Sequence, residues 1–175
     1  DFEDGVAGPA GNWNTLASPT DSIANLTDYD TGLGANIRLD VTQPIGPSSG
    51  GANTWTSTPE YRSWIDPAAT SDYFFVRTSD FPAGQLTFSG AGLDDNKVYR
   101  VEVLGSRSDS TNRKGKLSIN GSFSDNSNSN GFDAYADGYT AHQVMTWRSV
   151  NPVGGEIVLD ITPFASNQHG YLSAM

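Results

Sequence analysis

Lys97–Gly121, KVYRVEVLGSRSDSTNRKGKLSING, alternates twice. Tyr99, Val101 and Val103 share one side of the first half, and Arg100 and Glu102 the other. Leu117 and Ile119 then oppose Lys116, Ser118 and Asn120. Period-two patterning of this kind marks strands with one buried and one wet face. Gly105 to Gly115 between them is polar, so a long, solvated loop of hairpin type is expected to join two central strands. Five of the ten basic residues fall between Arg100 and Lys116: Arg100, Arg107, Arg113, Lys114 and Lys116.

The same alternation recurs outward from this pair. Asn36–Thr42 places Ile37, Leu39 and Val41 on one face, and Glu156–Thr162 does so with Ile157, Leu159 and Ile161. Shorter strand signals lie at Ser22–Thr27, Tyr73–Arg77, Gln85–Ser89, His142–Val150 and Tyr171–Met175. Phe81–Gly84 reads as a turn between two of these strands. Turn-rich stretches separate about nine or ten strands, and no helical pattern intervenes. An all-β, two-sheet antiparallel sandwich of jelly-roll type is therefore expected.

A length of 175 residues fits a single module spanning 1–175. The chain begins at Asp1 rather than Met, and Gly170–Met175 reads as a strand with no polar tail. Both ends lead us to expect a module cut from a larger multidomain protein, monomeric within it. The net charge of −10 and pI near 4.3 disfavour nucleic acid, whose phosphates the field would repel. The absence of cysteine removes disulfides and thiolate chemistry. No stretch is apolar and long enough for a membrane helix.

Enzymatic signals are thin. His142 and His169 are the only candidate bases for a serine nucleophile, and no carboxylate pair singles itself out. Binding signals are stronger, because aromatic residues and planar polar groups gather in loops on a β scaffold. The groups are Trp13 with Asn12 and Asn14; Trp55, Tyr61 and Trp64; Arg107, Asn112 and Arg113; and Tyr135 with Tyr139. Aromatic rings pack on sugar C–H faces while Asn and Arg bond neighbouring hydroxyls. Each aromatic could instead plug a sheet edge or cap the core. Trp147, inside a strand pattern, is assigned to the core or a sheet face. Asp28-Tyr-Asp30 before Gly32 has the oxygen spacing of a calcium-wrapping turn, and Asn126–Gly131 is a weaker echo. Ordinary Asp/Asn turn chemistry explains both equally well.

Gly11-Asn-Trp-Asn-Thr-Leu16, Gly90-Ala-Gly-Leu-Asp-Asp-Asn-Lys-Val-Tyr-Arg100, Gly105-Ser-Arg107 with Asn112-Arg113, and Asn167-Gln-His-Gly-Tyr-Leu-Ser-Ala-Met175 together resemble an accessory domain. Such domains are carbohydrate-binding modules of the galactose-binding, jelly-roll type in secreted bacterial polysaccharide-degrading enzymes. The resemblance implies non-catalytic glycan binding, secretion or cell-surface display, and frequently a structural calcium. Trp13, Asn14, Arg107, Asn112 and Arg113 match its recurrent loop positions. The Trp55–Trp64 loop and residues 122–140 match nothing in that pattern. A structural or adhesive surface module, and a jelly-roll lyase or glycosidase, are the two rival expectations.

Overall fold

The computed structural model describes residues 11–47, 73–105, 114–124, 132–133, 144–173 and 175. Among them there is no helix, and every strand pairing is antiparallel. The strands are β1 (Ser22–Ile23), β2 (Arg38–Gln43), β3 (Gly46–Pro47), β4 (Phe74–Arg77), β5 (Gly84–Ser89) and β6 (Tyr99–Leu104). They continue as β7 (Lys114–Ile119), β8 (Ser122–Phe123), β9 (Phe132–Asp133), β10 (Val144–Val150), β11 (Glu156–Pro163) and β12 (His169–Leu172).

The largest sheet runs β1-β2-β5-β11-β7-β8, with β9 also on β7. Its register explains the alternation of the sequence. Val41, Leu86, Leu159 and Ile119 stand opposite one another across four strands. Leu86, Leu159 and Ile119 are buried, and side chains of this size each contribute about 1.5–3 kcal/mol when removed from water. In the next row Ile161 lies between Gly84 and Leu117. Gly84 is required by what faces it, since a Cβ there would sit 1.9 Å from Ile45 Cγ2. Ile45 fills the missing side chain's place.

β10 and β6 form a second ladder, and β12-β4-β3 a third. A backbone bond from Ser173 N to Leu104 O (2.8 Å) ties the end of β12 to β6. Phe74, Val76, Leu172, Val103 and Met145 join the inward residues of the large sheet in one core. Trp147 belongs to that core, and its indole nitrogen donates to Ser122 O at 2.9 Å.

The two halves of the opening stretch do not pair with each other. β6 bonds to β10, whereas β7 bonds to β11, β8 and β9. β4 and β5, expected to be turn-linked neighbours, likewise lie in different sheets. Alternation reports a buried face but not which partner strand supplies the hydrogen bonds. A tight two-residue loop would have enforced pairing, and neither connection is one. Such a loop does occur at Asn120-Gly121, both with positive φ (47° and 77°), closing the β7–β8 hairpin.

Candidate functional site

Among the described residues, the most exposed aromatic ring with a built foundation is Tyr29, 53% exposed at the tip of a short turn. Thr27 and Gly34 bridge the base of that turn, Asp28 N donates to Leu33 O (2.7 Å), and Gly32 N donates to Asp28 O (2.9 Å). Asp28 Oδ1 accepts from the Thr31 backbone N–H (2.8 Å) and the Thr31 hydroxyl (2.7 Å). The Thr31 hydroxyl is the main reason the Asp28 carboxyl is held below the ordinary carboxylate range. This is the self-capping chemistry of an Asx turn.

The segment Asn12–Asn14 anchors the turn. Asn12 Nδ2 donates to Tyr29 O at 2.9 Å. Asn14 donates from Nδ2 to Thr27 O and accepts at Oδ1 from Thr27 N, both at 2.7 Å. Its amide thus serves Thr27 as a neighbouring strand would. Gly32 has φ +70°, and a Cβ there would lie 3.2 Å from Asn12 Oδ1, so the side chain's absence admits Asn12. The half-buried Trp13 meets Tyr29 edge-on, with centroids 5.7 Å apart and planes at 74°. The result is a preorganised aromatic surface flanked by amides and by Asp30.

Asp28 therefore has one oxygen committed to Thr31. Calcium takes six to eight oxygens, and the described part of this turn adds only Asp28 Oδ2, Asp30 and main-chain carbonyls. Among the described residues, no three His, Cys, Asp or Glu side chains gather to hold a metal ion.

A second aromatic group lies along β4 and β12, where the buried Tyr171 pairs with Phe75 and His169 with Arg77. Phe75 meets Phe81 edge-on at 5.9 Å, and the Arg77 guanidinium lies 5.5 Å from the Phe75 centroid. His169 Nδ1 and the Tyr171 hydroxyl are 3.1 Å apart. Arg77 forms an ion pair with Asp80, and chiefly for that reason the Asp80 carboxyl is lowered to about 2. Pro47 is paired with Phe74, so the stretch carrying Trp55, Tyr61 and Trp64 starts and ends on neighbouring strands of this sheet.

An apolar cleft of about 230 Å³ opens between Leu26, Ile37 and Phe88 on one side and β6 on the other. Its carboxylate is Glu102, which accepts from Arg100 (2.5 Å) and the Thr146 hydroxyl (3.3 Å).

Of the residues expected to bind ligand, the structure brings Trp13 and Asn14 together beneath Tyr29. Trp55, Tyr61, Trp64, Arg107, Asn112, Arg113 and Tyr135 lie outside the described residues, as does His142. In the sequence Tyr29 stands only as the spacer between Asp28 and Asp30. A large aromatic at the tip of an Asp/Thr/Gly turn, with no strand to bury it, is the signal that could have found it. No family model, curated protein or solved structure matches the chain.

Proposed function

We propose that this protein binds polysaccharide without turning it over, holding an attached enzyme near its substrate outside the cell. The Trp13–Tyr29 surface carries the reading: an exposed ring fixed from below, with the exposed Asn12 amide at its margin. Sugar C–H faces stack on such rings, and polar side chains beside them bond the equatorial hydroxyls. Asp28 and Asp30 on the same turn, with the net charge of −10, favour an uncharged glycan. The scaffold in this proposal is a two-layer jelly-roll sandwich, with β10, β6, β12, β4 and β3 as the second layer. The Ser173–Leu104 bond supports joining those five strands.

Native electrophoresis through gels carrying neutral or acidic polysaccharides tests the proposal. One neutral polysaccharide should retard the protein without release of reducing ends or unsaturated products. Product release would move the protein to the lyase or glycosidase class. Self-association at micromolar concentration without retardation would make it an adhesive module. A calcium ion at the Asp28–Asp30 turn is read in the same gels, since EDTA would then abolish retardation.

A further inference from the structure

A recess of about 140 Å³ lies where the Asn120-Gly121 hairpin meets a bulge in β10. Trp147 pairs with Val101 and Val150 with Tyr99, so Arg148 and Ser149 together oppose Arg100. Two residues against one is a β-bulge, and bulges re-aim side chains. This one brings Ser149 into the recess wall.

The frame is braced. Asn120 Oδ1 accepts from Val158 N (2.9 Å), and its Nδ2 donates to Asn151 O (3.0 Å). Asn151 Nδ2 in turn donates to Lys97 O (3.0 Å). Ile119, Trp147 and Val150, all nearly buried, form the apolar floor. Ser122, Ser149 and Asn151 line the wall, and among the described residues neither hydroxyl nor Asn151 Oδ1 has a protein hydrogen-bond partner. Among the described residues, no charged side chain lines the recess.

We infer that this recess is a second, separate subsite for one uncharged, polyhydroxylated six-membered ring, such as a terminal or branch monosaccharide. A cavity of about 150 Å³ accommodates a ring the size of benzene, so this recess takes one face or edge of a single pyranose and leaves the rest of the sugar in solvent. The floor matches a sugar's apolar face, and the three open polar groups match its hydroxyls. The ligand class rests on the glycan reading above, but the site shares no residue with the Trp13–Tyr29 surface.

Glucose, galactose, mannose and xylose, titrated into the ¹⁵N-labelled protein, test this. At least one should give saturable, millimolar-range shifts of the Trp147 indole and the Asn120 and Asn151 side-chain amides. Ser149→Val, at an exposed position suited to a strand, should weaken that response up to about tenfold with an unchanged melting temperature. Tyr29→Ala should leave it intact. No shift with any of the four sugars, or equal affinity in Ser149→Val, overturns the subsite. Retardation in polysaccharide gels without recess shifts would sink the subsite alone. Recess shifts without retardation would sink the Trp13–Tyr29 surface and leave the subsite standing.

Discussion

At the scale of single residues, the Tyr29 turn separates side chains that present the ring from side chains that hold the backbone. Asn14 is of the second kind. Its two bonds to Thr27 act as a strand partner would, and each such bond is worth about 0.5–1.5 kcal/mol. Asn14→Ala should therefore cost about 2 kcal/mol and lower Tm by roughly 4–8 °C, readable by calorimetry. An unchanged Tm would show that the amide adds nothing to the fold. Sequence exposed the cluster of Trp13, Asn12 and Asn14 but not its division of labour, because an amide reads alike whether it faces a sugar or a backbone. The same limit hid the recess at Asn120, although Asn-Gly between two alternating runs is a strong hairpin signal.

At the scale of elements, alternation located β2, β6, β7 and β11 and their buried faces. Pairing was not legible, because the partners of β6 and β7 are chosen by contacts distant in sequence. The layer contact at Gly84 is one such contact. Gly84→Ala should destabilise by about 1–3 kcal/mol, since the new methyl meets Ile45 Cγ2. Ile45→Ala should relieve that clash, so the double variant is less destabilised than the sum of the two singles in urea unfolding. Strict additivity would mean that the two residues do not meet. The turn after β4 supplies a pH test. Asp80 falls from 3.8 to about 2 beside Arg77 and Ser79. A lowered folded-state pKa gives stability that is full above 3.8 and lost as pH falls through about 2. Asp80→Asn should flatten that part of the Tm–pH profile, and an unaltered profile would remove the ion pair from the account.

At the scale of the whole molecule, the acidic balance and the absence of cysteine were plain from composition, and the all-β architecture followed from strand spacing. The binding surface was only half legible, because an exposed ring becomes a site through the backbone that fixes it. A neutral glycan held by stacking and hydrogen bonds should be insensitive to salt. Retardation should change little between 0.01 M and 1 M ionic strength, over which the screening length shrinks from about 30 to about 3 Å. The most direct measurement compares the wild-type protein with Tyr29→Ala in a gel containing the retarding polysaccharide, with Tm recorded for both. The account predicts that the variant migrates as it does in a gel without polysaccharide, while its Tm falls by only about 2–4 °C, the loss of the edge-on contact with Trp13. A variant retarded as strongly as wild type would contradict it.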